Sequence, residues 1–209
     1  MIVIVTARTA ENGSSPEPRI PPLEPPYEPA TAEMLAKWMP PGSGVEPLAL
    51  FRVLGRHEDL ASRARPLGSG ILNKGLVPPR LRELMIHRTC ALTGAEYEWG
   101  VHVMGFGRPL GFTDEQLLST IDGSPEDPVW EPEESAVFAL ADALHRESTV
   151  DEELFARLRE HLDDEQIIEL CITSGWYHAI SYVINVSAVP LEPWAARFDS
   201  ITSPEPERR

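Results

Sequence analysis

Pro78-Pro-Arg-Leu-Arg-Glu-Leu-Met-Ile-His-Arg-Thr-Cys-Ala-Leu-Thr-Gly-Ala-Glu-Tyr-Glu-Trp-Gly-Val-His102 is the stretch on which the fold of this chain turns. Two prolines open it, a favoured residue for a first helical turn. The segment Arg80–Thr93 then carries apolar residues around nearly its whole circumference, which predicts a buried, central helix. Thr93-Gly94 breaks it, and Ala95 begins a second helix that ends near Gly107-Arg-Pro109. A turn this short leaves the two helices antiparallel or steeply crossed. At about 100° per residue, Glu83, His87 and Cys90 share one stripe of the first helix, and Ala95, Glu98, His102 and Gly105 a stripe of the second. Counted from Gly94, Cys90 stands level with Glu98 and His87 with His102. Two carboxylates and two imidazoles thus converge between facing helices, where polar groups are costly unless they are paired or at work.

The same helical punctuation runs outward from this hairpin. Thr31 predicts a capped helix to about Met39, Pro47 opens another through Leu54, and His57 to about Gly70 spaces Leu60, Ala61, Ala64 and Leu67 as a third. Beyond the hairpin come Thr113 to about Ile121, a loop over 122–132, Glu133–Arg146 and Val150–His161. Asp163 or Asp164 caps a long last helix from about Glu165 to Ala188, stopped by Pro190 and Pro193. Only Ile2–Val5 alternates with period two. The fold class is all-α.

The chain has 209 residues, enough for one domain with a full core. Its 18 basic and 33 acidic residues give a net charge of −15, against a nucleic-acid partner and an anionic membrane surface, both of which call for basic patches. Between residues 131 and 165 lie twelve Asp or Glu, read as a solvated outer face opposite the apolar stripe. Cys90 and Cys171 make no disulfide framework, and no stretch has the length of a signal or membrane segment, so the expected location is the cytoplasm. Proline, 21 of 209 residues, crowds the stretch Pro16–Pro47. Residues 1–30 read as a flexible proline-rich arm, loose or packed across its own domain or a neighbouring subunit, 31–199 as the domain and 200–209 as a loose tail.

The hairpin from Leu81 to His102, with the segment Gly175–Leu191, resembles the carboxymuconolactone decarboxylase-like proteins, which are related to the alkylhydroperoxidase D-like peroxidases. The resemblance implies an all-α bundle around a central antiparallel hairpin, assembled as a homo-trimer or homo-hexamer. The peroxidase branch carries a glutamate, a Cys-x-x-Cys and a histidine, which fall here on Glu83, Ala95, Glu98 and His102. Both thiols are missing, and a lone Cys90 supplies no resolving partner, so thiol peroxidase chemistry is excluded.

The decarboxylase branch implies no metal and no organic cofactor. It implies loss of carbon dioxide from a small lactone acid through an enolate-like anion that is then protonated. On that reading His102 is the proton donor, Glu83 orients and charges it, and Glu98 is a second acid or base. Candidate substrate-binding residues are His87, Cys90, Tyr97, Trp99, His178 and Tyr182. His178 and Tyr182 belong to a polar stripe with Cys171, Ser174, Ser181 and Asn185 on the last helix, either a pocket wall or a wet subunit interface. Arg80, Arg82 and Arg88 are either carboxylate holders or ion-pair partners. Glu83, His87, Glu98 and His102 have the wrong spacing for the Glu-x-x-His pattern of helix-bundle metal sites. Two other functions remain: an isomerase, cyclase or dehydratase, and a binding or assembly protein that keeps the Glu–His pair as a structural clamp.

Overall fold

In the computed structural model, which describes residues 17–39 and 46–201, nine α-helices follow one another with no strand among the described residues. The axis of the bundle is α4 (Pro79–Leu92), opened by Pro79 and uninterrupted by glycine or a further proline until Gly94. Leu84, Met85, Ile86, His87, Thr89 and Cys90 on it are fully buried, as its all-round apolar pattern requires. Around it stand α5 (Glu96–His102), α6 (Asp114–Asp122), α7 (Pro132–Glu147) and α9 (Asp164–Ser187), with α8 (Glu152–Arg159) against α7. Trp99, Leu117, Phe138, Leu140 and Leu170 fill the main core. Each such side chain contributes about 1.5–3 kcal/mol on burial. A second cluster joins α2 (Ala49–Leu54) to Tyr97, Val101, Ile180 and Ile184.

Side chains fix several helix ends. Thr113 with Gln116, and Asp163 with Gln166, form reciprocal capping boxes at α6 and α9, and Asp151 accepts the Leu154 N–H at 2.8 Å at α8. Two expected boundaries move. α1 (Pro29–Ala36) starts ahead of Thr31, whose buried hydroxyl donates to Glu58 instead of capping. α3 (Glu58–Lys74) continues past Gly70 with Pro66 inside it, and His57 Nδ1 caps its start at Leu60 N–H.

The acidic face is also corrected at two positions. Glu134 and Asp142 are buried, because α4 presents arginines to them: Arg80 pairs with Glu134 and Arg88 with Asp142. From Glu17 to Glu28 the chain lies across its own domain. Arg19 and Ile20 N–H groups donate to Ser187 O, and Arg52 and Arg56 hold the carbonyls of Leu23 and Pro21. Ile2–Val5, the rest of residues 1–16 and the tail beyond Ile201 lie outside the described residues.

Candidate active site

Gly94 turns α4 into α5 with φ +64°, a conformation glycine adopts without strain. The turn lays Glu98 and His102 on the side of α5 that faces α4. Glu83 is fully buried between two cations. Its Oε2 lies 2.7 Å from His102 Nδ1, and its Oε1 accepts from Arg82 Nε and Nη2, both at 3.0 Å. Arg82 spends another N–H on Leu72 O at 3.1 Å. Level counting paired His87 with His102, but it is Glu83, one turn earlier on α4, that reaches the ring.

The opposite nitrogen of His102, Nε2, is 3.1 Å from the Tyr177 hydroxyl of α9 and 3.5 Å from Glu98 Oε1. Phe106 stacks on the imidazole at 5.0 Å, and Tyr177 meets it edge-on. Burial alone favours the neutral ring, but the charge and hydrogen bond of Glu83, joined by Glu98, outweigh it and raise His102 to about 9. Burial pushes Glu83 up, yet His102, His87 and Arg82 together hold it below its usual range. At neutral pH the pair is therefore a carboxylate and an imidazolium. Tyr177 is driven well above the usual phenol range by burial and then by Glu98 and Glu83, so its hydroxyl keeps its proton.

His87 is placed beside this pair in a different state. It is fully buried, and neither ring nitrogen has a hydrogen-bond partner. Its edge rests on Phe112, 5.2 Å between centroids, and a Cβ on Gly107 would come within 2.7 Å of its Cε1. The wide π turn Val103–Gly107 that ends α5 brings this glycine in. Burial lowers His87 to about 4, against the charge of Glu83 and the backbone of His102, while the charge of His102 adds to the lowering. Cys90 is buried too, and burial, then the charge of Glu98, pushes its thiol well above the ordinary range.

Four expected substrate contacts are not brought to this cluster. Tyr97 packs in the second core, where its hydroxyl donates to Glu192 at 2.7 Å and accepts from Leu50 N–H at 3.1 Å. Trp99 donates to Thr120 in the main core. Both lie on flanks of α5 turned away from the Glu98–His102 stripe. His178 is stacked on His145 near the surface, 3.0 Å between ring nitrogens, and Tyr182 is exposed beside it. The polar stripe expected on α9 is thus split between two faces. Arg80, Arg82 and Arg88 are all in ion pairs. Among the described residues, no three His, Cys, Asp or Glu side chains are placed to share one metal ion.

Tyr177 escaped the sequence reading of the site, and Arg82, read as a carboxylate holder or ion-pair partner, was not matched to Glu83. The signal for Tyr177 was the buried face of α9, which repeats as Leu170, Thr173, Tyr177, Ser181 and Ile184. Arg82 is adjacent to Glu83 and sits off the stripe, so helical spacing alone does not pair them.

This hairpin and its surroundings, residues 58–143, match the model of the Carboxymuconolactone decarboxylase family. Solved AhpD-like structures share the arrangement. Over those residues the chain is similar to the carboxymuconolactone decarboxylase family, in a fold shared with an AhpD-like structure. One such structure is a protein of unknown function from Agrobacterium tumefaciens, linked by its description to AhpD antioxidant defence. It is 20% identical, with a TM-score of 0.57 over 63% of this chain and 89% of that one. The debrominase Bmp8 in its apo form is 17% identical with a TM-score of 0.71, covering 88% of this chain and 97% of that one. A cysteine-to-alanine variant of the same debrominase, in complex with 2,3,4-tribromopyrrole, gives 17% and 0.70 over 87% and 95%. At these identities the likeness establishes the shared fold. Among curated proteins none matches the chain. At the two cysteine positions of the peroxidase pattern this chain carries Ala95 and Glu98.

Proposed function

We propose that this chain is a cofactor-independent acid–base enzyme acting on a small carboxylated ring or lactone, with His102 as its proton donor. The observation that carries the reading is the buried His102 imidazole held at Nδ1 by Glu83, with Nε2 turned to Tyr177 and Glu98. In a decarboxylation, the bond from the ring to the carboxylate carbon breaks, carbon dioxide leaves, and the electron pair spreads over an enolate. The Nε2–H of His102 protonates the carbon, and the imidazole regains its proton from water, with Glu98 as a second acid or base. Glu83 and Arg82 fix the ring so that the proton is delivered along one direction. General acid–base catalysis of this kind contributes about 10²–10⁴-fold.

The missing cysteine pair and the raised Cys90 thiol support acid–base work over thiolate chemistry. The debrominase relative, crystallised with a brominated pyrrole, supports a small ring as substrate. A proton-shuttling isomerisation would employ the same groups, with Glu98 removing the proton that His102 replaces elsewhere. Both readings are tested by screening small lactone acids by thermal shift, since a true ligand raises stability by mass action. Carbon dioxide release from a stabilising ligand identifies the decarboxylase, and rearrangement without release identifies the isomerase. No stabilising ligand, with an unchanged melting temperature throughout, counts against the substrate class.

A further inference from the structure

Two hydroxyls on the buried face of α9 each keep a proton that the folded chain does not use. Tyr177 and Ser181 lie one helical turn apart, so their side chains are neighbours. At 2% and 0% exposure they are closed in by the described residues themselves. The Tyr177 hydroxyl has one hydrogen-bond partner among those residues, His102 Nε2 at 3.1 Å. With the proton on Nε2, as the proposed chemistry requires, the tyrosine oxygen accepts that bond and its own O–H has no acceptor. Ser181 Oγ has no hydrogen-bond partner among the described residues. Cys90 lies against it from α4, but a thiol is only a weak acceptor.

A buried hydroxyl without a partner destabilises a fold, and alanine would pack there without that cost. Two such donors beside one proton-carrying ring are the parts of an oxyanion-stabilising site, fixed O–H dipoles in a water-poor place where charge can develop. Burial keeps the proton on Tyr177, so its hydroxyl donates and does not compete as a base. Neither Glu83 nor Glu98 accepts from these hydroxyls, which leaves both donors to a ligand oxygen.

We infer that Tyr177 and Ser181 bind the carbonyl oxygen of a small lactone or cyclic ketone conjugated with the carbon that reacts. The electron pair freed as carbon dioxide leaves moves onto this oxygen, and it returns to carbon when His102 Nε2 delivers its proton. No oxidant or reductant takes part. The two hydrogen bonds strengthen as the oxygen becomes an enolate, so they favour the transition state over the bound substrate. For the identity of that oxygen the inference rests on the proposed acid–base reading.

Tetronic acid, a five-membered lactone that is an enolate at neutral pH, tests the assignment against γ-butyrolactone, a neutral lactone of the same ring size. In calorimetric titrations of the full chain, tetronate should bind the wild type more tightly than γ-butyrolactone does. Tyr177→Phe and Ser181→Ala should each weaken tetronate by about 10- to 150-fold, the effect of one hydrogen bond to a charged group. Ser181→Ala should melt at or above the wild-type temperature, because its Oγ has no partner to lose, and it decides the matter should Tyr177→Phe misfold. Tetronate that fails to bind, binds no better than the neutral lactone, or binds both variants as it does the wild type would overturn the assignment. So would a destabilised Ser181→Ala. Failure of the acid–base reading looks different. A wild type that turns over no small lactone acid, while tetronate still needs both hydroxyls, keeps the oxygen site and removes the reaction. Turnover of such an acid that is unchanged in both variants keeps the reaction and removes the oxygen site.

Discussion

Two buried ion pairs stand on α4, little more than a turn apart, and they are built differently. At Arg88 all three guanidinium nitrogens are engaged by protein groups. Nε and Nη2 meet Asp142 at 2.6 and 3.3 Å, Nη1 donates to the carbonyls of Thr120 and Ile121, and the ring of Phe138 lies 4.4 Å beneath. At Glu83 the carboxylate is held as tightly, but its partner His102 carries the contact on through Nε2 to a buried tyrosine and a second glutamate, with the unsatisfied His87 alongside. A clamp closes every donor within the protein. At Glu83 the partner is instead a titratable ring joined to two further proton-bearing groups, Tyr177 and Glu98, and that difference separates packing from candidate chemistry on this helix.

The sharpest break in the comparison comes from deleting one partner at each place. His102→Ala should lower turnover by about 10²–10⁴-fold while the helical circular dichroism persists, because Arg82 still donates twice to Glu83. Loss of the fold instead would make His102 a clamp. Arg88→Ala should destabilise the domain by about 3–5 kcal/mol in urea unfolding, since Asp142 is left buried and unpaired. The double replacement Arg88→Met with Asp142→Leu should recover most of that loss, as expected of a pair that serves packing alone.

A smaller and opposite effect is expected at His87. Replacing an unpartnered buried imidazole with an apolar side chain removes a desolvation cost, so His87→Leu should raise stability by about 1–3 kcal/mol. A destabilised variant would show that the ring has a structural partner. The pH dependence of stability sharpens the contrast further. His102, raised from 6.5 to about 9, contributes stability that is full below pH 6.5 and lost as pH climbs through 9. His87, lowered to about 4, stays neutral while the unfolded chain takes up a proton, so its contribution is lost as pH falls from 6.5 towards 4. Stability from these two groups peaks near pH 6.5. His102→Asn should flatten the alkaline limb and His87→Leu the acid limb, both read from urea midpoints across pH.

Much of this was legible in the sequence, and for identifiable reasons. The circumference of apolar residues on Arg80–Thr93 dictated its central position, and the Thr93-Gly94 break dictated the hairpin. Burial of Glu83, Glu98 and His102 on facing stripes followed from helical spacing. The register across the hairpin did not. Counting from Gly94 treats the helices as parallel rulers, whereas their crossing and the π turn at Val103–Gly107 let Glu83 take the ring and leave His87 on Gly107. Tyr97 and Trp99 were drawn to the site by adjacency in sequence, but neighbours on a helix point about 100° apart. On α9 the polar residues suggested one stripe, while burial follows its longer apolar repeat and selects Tyr177. Glu134 and Asp142 looked like surface acid because their partners, Arg80 and Arg88, are distant in the chain.

The account depends on a buried imidazolium at His102. A ¹⁵N imidazole NMR titration of the full chain reads it directly. The account predicts that both ring nitrogens of His102 stay protonated from pH 6 until the titration near 9, while His87 is neutral throughout that range. A His102 ring already neutral at pH 7 would contradict it.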